Sequence, residues 1–234
     1  MKTSNKILLI SSSSLIGIVI AFLLIFRLTL GNSITTERPI DTDNPTVSRA
    51  FPLSGFTAIE VSGHWEIELT RGETTQVKVK APKDVLENLS VERQAATLIL
   101  RTDKKWRHSP GKVTALITMP SLSDLRLSGL VSLELNGFSS ESLTVYTKGS
   151  TSITGKGNHI HNLHLEGEGL SNLNLRRNSV INADLDYEGV YKIELSMAGG
   201  ELTGKIKGVG KVIYDGELRK ESIRKEGPCK VIRG

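Results

Sequence analysis

From Phe51 onward, apolar and polar residues alternate along most of the chain. Segments such as "AIEVSGHWEIELTRG", "QVKVKA", "TLILRT" and "KVTALITM" place every second side chain on one apolar face, which predicts half-buried β-strands. The segment "PKDVLENL", residues 82–89, breaks this pattern, and its leading proline suits the first turn of a short helix. The sequence therefore predicts a folded, nearly all-β domain over residues 51–234.

The second half of the chain repeats a pattern of strand, glycine-bearing turn and strand. The copies begin at Leu125, Leu143, Leu163 and Ala183, with a looser copy from Gly204. A unit of this length cannot bury its own apolar side, so successive copies are expected to pack on one another and share a core. The repeat predicts a flattened β-solenoid with rungs of about 20 residues.

A long apolar run stands before this domain. Residues 7–26 contain no charged side chain, and twenty such residues match the length of a helix that spans a bilayer core. Lys2 and Lys6 precede the run, which favours a cytoplasmic amino terminus and an exported body. We therefore predict that residues 1–30 form a membrane anchor with a transmembrane helix at 7–26.

A cleaved signal peptide is the alternative for this segment, with its apolar region shortened to residues 15–26 by the four preceding serines. Arg27 is poorly placed for such a cleavage, which favours the uncleaved anchor. The next residues, 31–50, carry two prolines and many small polar side chains. They are typical of a flexible linker between the anchor and the domain.

Composition excludes several classes of function. The net charge of +5 is spread over 30 basic and 25 acidic residues, without the concentrated basic stripe of a nucleic-acid-binding protein. Cys229 is the single cysteine, so the chain has no intrachain disulfide, thiol pair or cysteine-based zinc site. Nucleotide-binding loops, nucleophile elbows and the metalloprotease motif are also absent from the sequence.

The segment "HIHNLHLEGEG", residues 159–169, holds three histidines and two glycines. Gly167 and Gly169 align with the turn glycines of the other repeats, and a strand rather than a helix follows them, so we interpret them as turn residues and not as a phosphate-binding loop. His159 and His161 fall in the turn before the strand. No shared face for the three histidines is evident from the alternation.

The alternation also predicts which side chains of the repeats point inward. Leu127, Val145, Leu165 and Leu185 are expected to form one inward row. The neighbouring positions then form an outward patch of His164, Glu166, Asp184 and Asp186, which we define as the acidic patch. A solvated surface and a weak site for Ca²⁺ or another hard cation are both open for it. We predict no cofactor, no metal site beyond this candidate and no catalytic residue, because exposed groups on a flat sheet do not converge.

The block "SGLVSLELNG", the glycine-centred turns and the lead-in from "FTAIEVSGHWEIELTRG" to "TLILRT" resemble the bacterial head GIN domain family. That family is catalogued among autotransporter adhesins and as a domain of unknown function. The resemblance covers about residues 51–234. It implies a right-handed parallel β-helix in a cell-envelope protein, without an identified catalytic set and with a role in adhesion.

The function expected from the sequence is that of a membrane-anchored envelope module for binding, adhesion or scaffolding. Its carboxyl-terminal domain would be exported to the periplasm or cell surface of a bacterium by a single-pass anchor. A protein or glycan ligand is expected, with no nucleic acid, and open rung ends favour a homo-oligomer. A carbohydrate-acting enzyme and an envelope-stress or signalling sensor are the alternatives.

Overall fold

The computed structural model describes residues 44–102 and 112–234, in which strands follow one another with one short helix. In chain order the elements are β1 Thr46–Phe51, β2 Ala58–Arg71, β3 Gln76–Pro82, α1 Lys83–Glu87, β4 Leu89–Gln94, β5 Thr97–Thr102, β6 Thr114–Met119, β7 Asp124–Asn136, β8 Ser139–Ala198, β9 Glu201–Glu217, β10 Lys220–Glu226 and β11 Cys229–Arg233.

These strands form one open, mixed sheet in the order β1-β3-β6-β2-β7-β8-β9-β10, with β11 paired to β9 and β5 to both β2 and β4. Strand β3 is antiparallel to β1 and β6, and β4 is antiparallel to β5. The predicted fold class, a right-handed parallel β-helix or solenoid preceded by a transmembrane helix, is therefore wrong. The all-β content is confirmed.

The error has a physical cause. Period-two alternation marks a strand with one buried face, but it is the same for parallel and antiparallel neighbours. The repeat of about 20 residues holds only in the second half, where β7 pairs in parallel with β8, and β8 with β9. Extending that regularity to the first half missed the antiparallel strands β1, β3 and β4.

The strand spacing also corrects the predicted inward row. Leu127, Val145, Leu165 and Leu185 are all buried, as predicted. However, Val145 pairs with Leu125, and Leu127 pairs with Thr147. The copies starting at Leu125 and Leu143 were thus aligned two residues out of register, a shift that preserves the inward direction because the side-chain period is two.

The core is filled mainly by leucine, isoleucine and valine, with Trp65, Phe138 and Tyr187 as its largest fully buried side chains. Polar groups at the bends are paired within the protein. The Asn158 side chain, which is fully buried, accepts a hydrogen bond from the Phe138 backbone N–H at 2.8 Å and donates to the Leu135 carbonyl at 2.7 Å. This pairing removes the cost of burying an amide.

The boundaries of the domain differ slightly from expectation. The predicted helix at 82–89 is present as α1, with Pro82 directly before its first turn. The linker predicted for 31–50 ends earlier, because β1 begins at Thr46 and pairs with β3. Across residues 44–102 and 112–234, no helix has the length and apolar character needed to cross a membrane. The anchor predicted for 1–30, with its helix at 7–26, lies outside the described residues.

Candidate functional site

A row of glycines marks the bend between paired strand segments in successive repeats: Gly129, Gly149, Gly169, Gly189 and Gly208. All have positive φ, and a Cβ at Gly189 would collide with the Gly169 carbonyl oxygen. Glycine is required here by backbone conformation and close approach of neighbouring segments. The interpretation of Gly169 as a turn residue therefore holds without any bound phosphate.

Gly167 has a different role from the one expected. Its α-carbon lies opposite the Thr147 hydroxyl and the Tyr187 ring, and a Cβ at this position would overlap both. Gly167 therefore makes room inside the core for the large side chain of the next repeat and does not belong to the turn. The alternation around "EGEG" is equally compatible with both placements.

The acidic patch lies on the surface, as predicted. The His164 Nδ1 atom is 3.1 Å from Asp184 Oδ2, and the Thr203 hydroxyl donates to Asp184 Oδ1 at 3.1 Å. Glu166 and Asp186 lie two residues after His164 and Asp184, and both are exposed. Asp186 pairs with Lys205 of β9. The structure thus brings His164 and Asp184 into contact, while Glu166 and Asp186 stay separate from that pair.

This geometry favours a solvated hydrogen-bonded pair over a site for chemistry. Both oxygens of Asp184 already have partners, and the groups stand on an open surface where water screens their charges. Within residues 44–102 and 112–234, no group of three or more His, Cys, Asp or Glu side chains is placed to hold a metal ion. Cation binding by the patch stays a prediction to be tested.

The remaining residues considered in the sequence are not part of one site. His159 and His161 line a separate surface depression with Glu141, and His161 Nδ1 is 3.9 Å from Glu141 Oε1. A lyase-type reaction would need a basic side chain beside the carboxylates, and Arg126 instead donates from Nε to Asp124 at 2.9 Å. That hydrogen bond and the charge of Asp124 raise the pKa of Arg126, so it does not act as a proton acceptor.

The sequence analysis missed a row of exposed aliphatic side chains. Each follows a turn glycine directly, on the outer side of the bend: Leu130, Leu170, Val190 and Val209, which are 52%, 54%, 53% and 53% exposed. Ser150 occupies the equivalent position between Leu130 and Leu170. We call these five positions the turn row. A signal was available, since an apolar residue follows four of the five aligned glycines.

A second row runs beside the turn row, two residues further along each repeat. It consists of Glu66, Ser132, Ser152, Asn172, Lys192, Lys211 and Lys230, and we call it the flanking row. Lys192 Nζ is 2.6 Å from Glu194 Oε2. Lys211 and Lys230 have no ion pair within the described part of the chain. The flanking row therefore places two unneutralised positive charges next to the aliphatic end of the turn row.

Glu194 is the most deeply placed charged side chain of this region, with 7% of the residue exposed. Arg176 Nε lies 3.2 Å from one of its oxygens, and Lys192 Nζ contacts the other. Arg176 also reaches Asp215 Oδ2 at 3.4 Å. Because the carboxylate has two cationic partners, its burial does not leave an uncompensated charge.

The interior also holds polar groups that are far from any exposed site. Tyr187 and Tyr191 meet edge to face with ring centroids 5.2 Å apart, and neither hydroxyl has a hydrogen-bond partner. Burial raises the pKa of Tyr191, and the neighbouring thiol of Cys229 raises it further. Cys229 itself is a free, partly buried thiol. The two tyrosine rings fill the space between repeats.

Comparisons with known proteins identify solved structures with a similar fold. No curated protein matches the chain in sequence. A solved structure from Bacteroides fragilis described as a "putative adhesin" is similar with a TM-score of 0.61 and 19% identity, covering 81% of this chain and 97% of that one. A "putative adhesin" from Parabacteroides merdae is similar with a TM-score of 0.50 and 12% identity, over 81% and 96% of the two chains.

These likenesses show a fold shared with β-structured proteins of adhesin type. The family model described as "Putative auto-transporter adhesin, head GIN domain" matches residues 55–217, which contain β2 to β9, the acidic patch and the turn row. The resemblance inferred from the repeats is thereby confirmed, and the chain belongs to the head GIN domain family of auto-transporter adhesin type.

Proposed function

We propose that this protein is a membrane-anchored, exported module of the bacterial cell envelope that binds a partner without catalysing a reaction. Family membership and the adhesin-type solved relatives support a binding or adhesion role. A protein or a glycan is the expected ligand class.

The observation that carries the proposal is the turn row. Soluble domains normally scatter exposed aliphatic side chains, and aligned ones mark interaction surfaces. Here four aligned positions each leave about half of an aliphatic side chain in water. The groups of the acidic patch, by contrast, stand on an open face of the sheet and do not converge in a cleft. The chain thus presents a surface suited to contact rather than to bond breaking.

Anchoring by residues 7–26 completes the proposed arrangement, with the polar segment after it as a spacer. If the anchor is retained, the full-length protein stays in the membrane fraction after washing with high salt and is released by detergent. An amino terminus near Asn32 in the mature protein would instead demonstrate cleavage of a signal peptide.

Residues 44–234 are suitable for binding tests because they form one compact unit. The B. fragilis relative is covered over 97% of its chain by 81% of this one, so a domain of this size folds there without the remainder. Circular dichroism would check the fold of each preparation and variant. Immobilised residues 44–234 should retain a ligand from defined panels of matrix proteins and polysaccharides.

The same preparation separates a binding module from an enzyme. Incubation with uronic-acid polymers should release no product, and Asp184→Asn with Asp186→Asn should not change this result. Polymer cleavage that these two substitutions abolish would contradict the proposal and move the protein into the carbohydrate-acting enzymes. Failure to retain any protein or polysaccharide would contradict adhesion to those ligand classes.

Self-association through the carboxyl-terminal edge is disfavoured. Strand β10 places Glu221 and Lys225 in register with the buried Leu202 and Ile206 of β9. Charges at inward positions of an outer strand block edge-to-edge pairing. The homo-oligomer expected from open rung ends therefore needs another surface, and its existence stays a prediction.

A further inference from the structure

We infer that the carboxyl-terminal half of the turn row, together with the lysines of the flanking row, is a docking surface for an anionic lipid membrane. The surface consists of Leu170, Val190, Val209, Lys192, Lys211, Lys230 and Ile232, and we call it the basic-apolar surface. This inference rests on the proposed role as a non-catalytic binding module and names a partner for it.

The apolar part of this surface is continuous. The glycines before Leu170, Val190 and Val209 pack against one another, so these side chains project from adjacent segments, roughly 4.8 Å apart. They stand on the outer side of a bend and are each about half exposed. An outward-projecting aliphatic row can enter the boundary between lipid headgroups and acyl chains, where burial of apolar area provides the affinity.

The basic part lies directly beside it. Lys192 and Lys211 are paired in the register of β8 with β9, and Lys230 faces Lys211 from β11. Beyond the lysines, Ile213 and Ile232 occupy the next outward positions, and Ile232 is 42% exposed. Lys211 stands between Val209 and Ile213, so its stem can lie on apolar surface while the ammonium group reaches lipid phosphates.

Charge complementarity selects the anionic membrane over other occupants. The flanking row has no acidic residue in these three segments, and Glu194 beside it is held by Arg176 and Lys192. On the other side of the turn row, Glu168 and Glu188 are each paired with a lysine, Lys148 and Lys207. Anionic headgroups attract juxtaposed lysines, each of which contributes on the order of a fivefold gain in affinity.

A second copy of the chain fits the surface less well. The aliphatic part of the surface is one side chain wide, so the apolar area it could bury is far below the roughly 800 Å² per partner of a stable interface. The two facing rows of three lysines would also repel one another across a twofold axis. A glycan is disfavoured because sugars stack on exposed aromatic rings, and within residues 44–102 and 112–234 every aromatic side chain is at least partly buried.

The test is flotation of residues 44–234 with vesicles made of equal parts phosphatidylglycerol and phosphatidylcholine, compared with phosphatidylcholine alone. We expect binding to the anionic vesicles, weakening as salt is raised, and little binding to the neutral ones. Lys211→Gln with Lys230→Gln should weaken anionic binding by about 10- to 30-fold. Val190→Ser with Val209→Ser should weaken it by a similar factor, because both inserted side chains are lost.

Two matched controls lie elsewhere on the protein. Leu130→Ser changes an equally exposed member of the turn row whose flank is Ser132, and Lys80→Gln removes an exposed lysine of β3. Neither should change vesicle binding by more than about twofold.

A lack of binding to the anionic vesicles would overturn the inference. Equal losses of vesicle binding for the control variants and the test variants would overturn it as well. Sedimentation that shows a dimer broken by Val190→Ser and Val209→Ser would also overturn it in favour of a second copy. Because the ligand panels described above contain no lipid, a negative vesicle result leaves the adhesion proposal to be decided by its own assay.

Discussion

Two neighbouring rows on the same sheet behave very differently along the molecule. A buried row beside the flanking row keeps one chemistry from end to end: Ile67, Leu133, Ile153, Leu173, Ile193 and Val212. The flanking row, displaced from it by a single residue, changes from Glu66 through serines and Asn172 to three lysines. Adjacent positions in each repeat are thus held constant on one side and varied on the other.

The next outward row also changes in chemistry along the sheet. It runs from Glu68 and Glu134 through Thr154 and Asn174 to Glu194, Ile213 and Ile232. Burial restricts the inward positions to aliphatic side chains, because a polar group there would lose its hydration without a replacement. Outward positions have no such restriction. The difference shows that chemical variety in this protein is carried by how outward rows change along the sheet, and less by any single repeat.

The contrast between inward and outward neighbours can be tested most directly at Leu165 and Glu166. Leu165 is 2% exposed, so Leu165→Asp places a carboxylate in an aliphatic core and should cost about 4 kcal/mol or more. Glu166→Lys, one residue away, should change the free energy of unfolding by less than about 0.5 kcal/mol. Urea denaturation of both variants measures the difference, and comparable losses would mean that the assigned faces are wrong.

The bend between the two faces can be tested at its glycines. Gly189 has a φ of +138° and packs against the Gly169 carbonyl, whereas Gly199 has a φ of +90° and a methyl group added to it would meet no atom within 4 Å. Gly189→Ala should cost about 3 kcal/mol from backbone strain and steric overlap together, and Gly199→Ala about 1 kcal/mol from strain alone. Thermal melts separate these contributions. A Gly189→Ala loss no larger than that of Gly199→Ala would show that close packing at the bend adds nothing.

Glu194 is a charged residue of the outward surface that is nearly buried. We expect its replacement to have a smaller effect on stability. Glu194→Gln removes a carboxylate held by Arg176 and Lys192, and should cost about 1 kcal/mol because both partners keep some contact with water. Glu188→Gln removes an exposed partner of Lys207, at 2.7 Å, and should change stability by less than about 0.5 kcal/mol. Chemical denaturation in low and high salt compares the two, and an equal response would place Glu194 among ordinary surface ion pairs.

The sequence predicted those features that depend on local pattern. Alternation identified the strands and the buried direction of Leu165 and Leu185, and the short helix followed from the break at Pro82. The turn position of Gly169 could be predicted because the same spacing recurs in other repeats. In each of these cases a single residue or a short period determines the outcome.

The fold class could not be predicted in the same way, since it depends on which strands pair over long distances. The sequence from Gln76 to Pro82 contains no signal that this strand lies antiparallel between β1 and β6. For the candidate site, the repeat spacing predicted that His164 and Asp184 share one outward patch, whereas the lysine row was not predicted, because Lys211 and Lys230 become neighbours only when β9 and β11 pair. Surface rows emerge from register, which sequence alone constrains weakly.

The interior of the lysine-bearing half predicts an effect that is absent at neutral pH, a pH dependence of stability that originates at Tyr191. Burial raises the pKa of this hydroxyl in the folded protein, so the folded state keeps its proton where the unfolded chain releases it, above a pH of about 10. The contribution of this group to stability is therefore complete below that pH and is lost as pH rises, by at most about 1.4 kcal/mol per pH unit. Tyr191→Phe removes a hydroxyl that has no hydrogen-bond partner, so it should fold normally and make the alkaline decline shallower. Denaturant melts of both proteins between neutral and alkaline pH measure this difference. Parallel curves would mean that Tyr191 titrates as freely as an exposed tyrosine, and that the core behind the lysine row is open to water.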